Sequence, residues 1–260
     1  MNRIDRSLSY LRKTDRRGLI AYLTAGDPDL ETSLELVLEM VRCGADMIEL
    51  GVPFSDPVAD GPVIQAASMR ALENGVTIAK VLDLAGQLRK KTGIPLLIMT
   101  YFNPIYAYGV DNFVEAAQKK GIDGLIIPDM PLEESEELAG ALENAGLHFI
   151  HLLAPTSSEK RIEATVRRAK GFIYCVSVAG VTGARETVPE AGLELLSCVR
   201  SKTDLPLALG FGISKPEQVA ALNGAVDAVV MGSAIVRLIE EGGTGEEIKE
   251  RIGNFFSRFR

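Results

Sequence analysis

Eight short apolar runs, each followed by a helix-patterned stretch, predict an α/β protein of the (β/α)8 TIM-barrel class, a single domain over residues 1–260. Three observations carry this prediction: the number of strand–helix units, a Gly and an Asp recurring ahead of several strands, and the lack of a GxGxxG turn after the first strand. A barrel of this kind takes about 250 residues, close to the 260 present. The missing turn disfavours the doubly wound open sheet, the architecture that would compete.

The elements follow in order. Ile4, Leu8 and Leu11 recur at helical spacing, so the chain begins with a short amphipathic helix that closes one end of the core. Its Arg, Lys and Ser content hints at a transit peptide, but Asp5 and Asp15 interrupt the positive charge. Strands are expected at 19–23, 47–50, 96–99, 124–127, 149–153, 172–176, 207–210 and 228–231. Gly44-Ala-Asp46, Gly121-Ile-Asp123 and Gly224-Ala-Val-Asp227 echo one another, each Gly placed to end the preceding helix in a left-handed conformation. Thr92-Gly-Ile-Pro-Leu96 and Thr203-Asp-Leu-Pro-Leu207 form a second echo, with Pro95 and Pro206 at strand starts, where a missing amide is tolerated. The connection between the second and third strands is longer than one unit needs and holds an inserted loop and an extra amphipathic helix. Long ordered insertions at this end of barrel strands usually carry function. Residues 177–192, with Gly180, Thr182 and Gly183 and no clear periodicity, are a candidate lid. Ile248, Ile252, Phe255 and Phe259 pack a C-terminal helix on the barrel.

Composition excludes several function classes. With 47% hydrophobic and 24% charged residues the chain can bury a full core, and its net charge of -7 offers no basic stripe for nucleic acid. An anionic small ligand stays possible where backbone amides bind it. No apolar run approaches the roughly 20 residues that span a bilayer. Cys43, Cys175 and Cys198 form no CxxC pair and are odd in number, which indicates neither a disulfide framework nor a thiolate metal site and fits a reducing cytosol.

The chemistry concentrates in Glu49-Leu-Gly-Val-Pro-Phe-Ser-Asp-Pro-Val-Ala-Asp60-Gly-Pro-Val-Ile-Gln65. Strand alternation puts Met47 and Glu49 on one face, so Glu49 stands where an apolar residue belongs. A carboxylate there must be satisfied or have its pKa raised, and the second condition suits a general acid near neutral pH. A structural carboxylate hydrogen-bonded across strands is the alternative. Late in the chain, Gly-containing turns at Ala179–Gly183, Gly210–Ser214 and Gly232-Ser233 resemble a phosphate cradle, completed by a short helix beginning at Ser233 or beyond. For any single turn, tight geometry alone explains the Gly equally well. No strand C-terminus carries a Lys for Schiff-base chemistry. The two histidines, His148 and His151, lie three apart on one strand and face opposite sides, which supplies a metal site poorly. Tyr22, Tyr101, Phe102, Tyr174 and Phe211 remain, as core residues or as walls for a flat apolar group.

These motifs resemble the tryptophan synthase alpha subunit family. The segment from Ile48 to Gln65 matches that family's signature nearly throughout, and Tyr22-Leu-Thr-Ala-Gly-Asp-Pro28, Tyr101-Phe-Asn-Pro104, Pro128-Asp129, Ala154-Pro-Thr156, Gly180-Val-Thr-Gly183, Gly210-Phe-Gly-Ile213 and Gly232-Ser-Ala234 extend the match along the chain. The resemblance implies cofactor-free retro-aldol cleavage of indole-3-glycerol phosphate to indole and glyceraldehyde 3-phosphate. It implies Glu49 as the acid/base group near C3 and the side-chain hydroxyl, and Asp60 as the carboxylate near the ring N–H. Tyr22, Tyr174, Thr182 and Phe211 would bind substrate, and Gly183, Gly212, Gly232 and Ser233 its phosphate. Tyr22 replaces a Phe often found in the family, so its hydroxyl needs a partner. Val176-Ser-Val-Ala179 departs from a more polar Ser-Arg version, so closed-lid contacts of that Arg do not carry over. A pyridoxal-phosphate β subunit is the implied partner, facing Pro53, Asp56, Pro57, Asn103 and Pro104. A free-standing lyase, a phosphosugar isomerase or epimerase, and a non-catalytic activator of a β subunit are the competing readings.

Overall fold

The computed structural model describes residues 1–176, 189–210, 212–222 and 224–259. Among these, nine parallel strands alternate with helices. The first half runs α1 (Arg3–Lys13), β1 (Gly18–Thr24), α2 (Leu30–Arg42), β2 (Met47–Gly51), α3 (Pro62–Glu73), α4 (Ile78–Arg89), β3 (Leu96–Met99), α5 (Phe102–Tyr108), α6 (Val110–Lys119) and β4 (Gly124–Ile126). The second runs α7 (Glu136–Asn144), β5 (His148–Ile150), β6 (Leu152–Leu153), α8 (Glu159–Arg168), β7 (Ile173–Val176), α9 (Glu190–Arg200), β8 (Leu207–Gly210), α10 (Pro216–Ala221), β9 (Ala228–Met231), α11 (Ser233–Glu240) and α12 (Gly245–Ser257).

The hydrogen-bonded order is β5-β4-β3-β2-β1-β9-β8-β7-β6. The two edge strands, β5 and β6, are successive pieces of one chain segment, so the sheet closes into a barrel. The sequence predicts a single fifth strand over 149–153. It is instead broken at His151, because His148–Ile150 pairs with β4 while Leu152–Leu153 pairs with β7. The segment changes partner at that residue.

Two apolar layers result. Ile20, Met47, Leu97, Ile126, Ile150 and Phe172 fill the barrel interior, plugged from below by Ile4, Leu8 and Leu11 of α1. Alternate residues such as Ile48, Leu125, Phe149 and Leu153 face the surrounding helices. Gly44 and Gly121 directly follow the C-caps of α2 and α6 with φ of 100° and 76°, as expected, whereas Gly224, with φ of 84°, lies two residues past the α10 C-cap Leu222. The following Asp of each echo then accepts a backbone N–H at the start of the preceding strand, Leu19 to Asp46 at 3.0 Å, Leu96 to Asp123 at 2.9 Å and Leu207 to Asp227 at 2.8 Å. The inserted region after β2 contributes α3. The sequence did not foresee α5, in which Pro104 sits within the first turn, where its missing N–H costs nothing.

Candidate active site

Met47 and Glu49 both point into the barrel, but Met47 lies in the apolar interior and Glu49 lines a cavity of about 820 Å³ that opens at the C-terminal ends of the strands. Glu49 is 1% exposed, and among the described residues neither of its carboxylate oxygens has a hydrogen-bond partner. Burial, helped by the charge of Asp60, raises its pKa to about 8. The carboxyl group therefore holds a proton at neutral pH and, among the described residues, has no partner to give it to.

Asp60 closes the inserted loop just before α3 and is also buried. Burial raises its pKa to about 6, while a hydrogen bond from Tyr101 pulls in the other direction. The Tyr101 hydroxyl also accepts the Ala59 N–H at 2.9 Å, and its ring lies 5.2 Å from that of Phe54. Tyr101 thus pins the loop at both ends of the segment that carries Asp60. Sequence reading placed Tyr101 only among the aromatic residues; its role depends on two loops meeting, which no local pattern shows. The Gln65 amide adds a bond to the Asp60 carbonyl at 2.8 Å.

Two tyrosines wall the site. Tyr22, on β1 beside Glu49, is buried, and its hydroxyl finds the partner it needs in Thr24 at 3.2 Å. Tyr174 of β7 packs in the barrel interior, with its hydroxyl beside Gly210. Each ring occupies space a neighbouring side chain would take: a Cβ on Gly51 would sit 2.3 Å from the Tyr22 hydroxyl, and one on Gly210 would sit 2.6 Å from Tyr174 Cε1. Gly212, Gly232 and Ser233 line the same cavity, and α11 starts at Ser233 with Gly232 as its cap, so a helix N-terminus points there. Thr182, Gly183 and Phe211 lie outside the described residues, as does 177–188 of the candidate lid.

Around the mouth, Asp56 and Asn103 are exposed and Pro57 and Pro104 half-buried, whereas Pro53 is buried within the chain and offers little to a partner. Val58 and Tyr106 nearby are large exposed apolar residues. His148 and His151 do face opposite ways: His148 pairs with Asp5 at 3.0 Å at the α1 end.

The family model of the tryptophan synthase alpha chain matches residues 8–256. The chain belongs to the tryptophan synthase alpha chain family. The tryptophan synthase alpha chain of Geotalea uraniireducens is 47% identical over 260 residues, covering 100% of this chain and 97% of that one. That of Caldanaerobacter subterraneus is 45% identical, covering 100% and 99%. Among solved structures, Mycobacterium tuberculosis tryptophan synthase superposes with a TM-score of 0.91 at 36% identity, covering 100% of this chain and 98% of that one. The tryptophan synthase a2b2 complex of Pyrococcus furiosus gives 0.87 at 37% identity, covering 93% and 97%. As a member of this family the chain is a carbon–carbon lyase, its reaction the cleavage of indole-3-glycerol phosphate.

Proposed function

We propose that Glu49 and Asp60 divide the proton work of this cleavage. Glu49 gives its proton to C3 of the indole ring, and the ring becomes cationic. Asp60, ionised above about pH 6, stabilises that charge at the ring N–H. The Glu49 carboxylate just formed then takes the proton of the neighbouring side-chain hydroxyl. The hydroxyl oxygen becomes a carbonyl, the bond to C3 breaks, and its electron pair restores the neutral ring. Indole and glyceraldehyde 3-phosphate leave, and Glu49 is protonated again. The observation that carries this reading is Glu49 itself, buried, proton-bearing and, among the described residues, without a hydrogen-bond partner above the apolar layer of the barrel interior.

Tyr22 and Tyr174 wall the ring in this reading, with Thr182 and Phe211 as further substrate contacts. Gly183, Gly212, Gly232 and Ser233 hold the phosphate, the last two at a helix N-terminus that favours negative charge. The domain comprises residues 1–260. A tryptophan synthase β subunit carrying pyridoxal phosphate docks on the mouth, against Asp56, Pro57, Asn103 and Pro104. The exposed Val58 and Tyr106 beside them support this, as does the likeness to an a2b2 complex. The reading places the chain in the cytoplasm; among the described residues no helix is long and apolar enough to cross a membrane.

The test is indole release from indole-3-glycerol phosphate by the wild-type chain and by Glu49→Gln, each with and without a β subunit. Release that rises with the β subunit and disappears in Glu49→Gln supports the reading. Fast release indifferent to the β subunit points to a free-standing lyase, and no release at all removes the assigned roles.

A further inference from the structure

The cavity does not stop inside the barrel. Its walls include Ile150 and Leu152, which face the interior, and also Phe149, His151 and Leu153, which face the helices. One cavity touches both faces of this segment because the wall parts there. The β4–β5 ladder ends at Ile126 and Ile150, and past His151 the chain pairs only with β7. An outer lobe therefore lies between the barrel and α8, bounded by Leu132 of the loop after β4 and by the buried Thr165 of α8.

One titratable ring of this lobe has no hydrogen-bond partner among the described residues. His151 is 7% exposed, lines the cavity, and makes no ring hydrogen bond among the described residues. Among its other lining polar groups, Ser157 accepts the Ala154 N–H at 3.1 Å, Ser158 accepts the Arg161 N–H at 3.3 Å, and Arg161 pairs with Glu133 at 3.0 Å. Burial, helped by the nearby Arg168 charge, pushes His151 down to about 4, so its imidazole is neutral and has a nitrogen free to accept. Phe149 meets that ring edge-on at 4.8 Å, so the imidazole is held by packing.

We propose that the outer lobe is a second binding site, for a flat neutral heteroaromatic with one N–H, the chemical class of the indole product. The apolar walls take the ring and His151 takes the N–H. The choice of indole rests on the cleavage proposed above, and the lobe would hold product behind the strand after it leaves the reacting centre.

The chain has only two histidines, and His148 is tied to Asp5 at the opposite end of the barrel, so it serves as an internal control. The experiment titrates indole into the full-length chain with isotope-labelled histidine and follows both imidazoles by NMR. It is repeated on Glu49→Gln saturated with indole-3-glycerol phosphate. The proposal expects saturable shifts of His151 alone, persisting with the mouth filled. It expects at least 5-fold weaker binding of 1-methylindole, which lacks the N–H; for Glu49→Gln carrying His151→Phe and saturated with indole-3-glycerol phosphate, equilibrium dialysis should show at least 10-fold weaker binding of indole. An unmoved His151, or shifts abolished once the mouth is filled, overturns it. So does equal affinity for indole and 1-methylindole. If indole-3-glycerol phosphate neither binds nor turns over, the proposed reaction fails, while the indole titration of the free chain still decides whether the lobe binds.

Discussion

The two ends of the barrel treat their carboxylates in opposite ways. At the α1 end, Asp123 receives Arg3 at 2.9 Å, Arg89 at 2.7 Å and the Leu96 N–H, and Asp227 receives Arg12 at 2.5 Å, Arg200 at 2.6 Å and the Leu207 N–H. Burial alone would raise the pKa of Asp227, but these donors bring it below the ordinary carboxylate range. At the other end, among the described residues, Glu49 has no donor and Asp60 leans on one tyrosine, and both rise. The same functional group fixes strand starts where it is saturated with donors and holds a mobile proton where it is denied them.

Replacing the members of each set separates the two roles. Glu49→Gln should have the largest effect, lowering kcat for indole release by roughly 10³-fold, the scale of a lost general acid/base. The same variant should gain thermal stability relative to wild type as pH rises from 5 to 8. A carboxyl whose folded pKa is raised binds its proton more tightly in the native state, so its contribution is full below the unfolded value and is lost as pH passes about 8. A melting difference that stays constant with pH would contradict this. Asp60→Asn should cost roughly 10²-fold in kcat with binding of the phosphate end kept, read by steady-state kinetics.

Asp227→Asn breaks the other end. Its Arg partners are 40% and 34% exposed, so the full penalty of a buried ion pair is reduced by solvent, and urea unfolding should show a loss of roughly 2 kcal/mol. Activity per folded molecule should not change; a large fall in kcat would mean the two ends are coupled. The stability Asp227 contributes is present above its unfolded pKa and lost as pH falls through its depressed folded value. Tyr101→Phe should have the smallest effect, about a 10-fold loss in activity. Without the tyrosine's hydrogen bond Asp60 titrates higher, so the acid limb of the pH profile should move up.

Much of this contrast was legible in the sequence. Parallel barrel strands are covered on both sides and read as unbroken apolar runs, which is why 96–99, 207–210 and 228–231 coincide with β3, β8 and β9. Glu49 stood out because it broke the parity of such a run. The Gly and Asp echoes marked strand starts, although only the folded chain shows the Arg side chains that converge on those Asp residues from α1, α4 and α9. The partner change at His151 was not legible, since pairing across the barrel depends on register with segments far away in the chain. The same holds for Tyr101, whose hydrogen bonds join loops 42 residues apart, and for Pro53, which turned inward from a loop that reads as exposed.

The most direct test of the contrast is the pH dependence of kcat/KM for indole-3-glycerol phosphate cleavage. The account predicts a bell with its acid limb near 6, where the carboxylate pair must lose one proton, and its alkaline limb near 8, where it must keep the other. A profile flat from pH 5 to 9, or an acid limb near 4 with no alkaline limb, would mean that both carboxylates titrate as ordinary acids and would contradict the account.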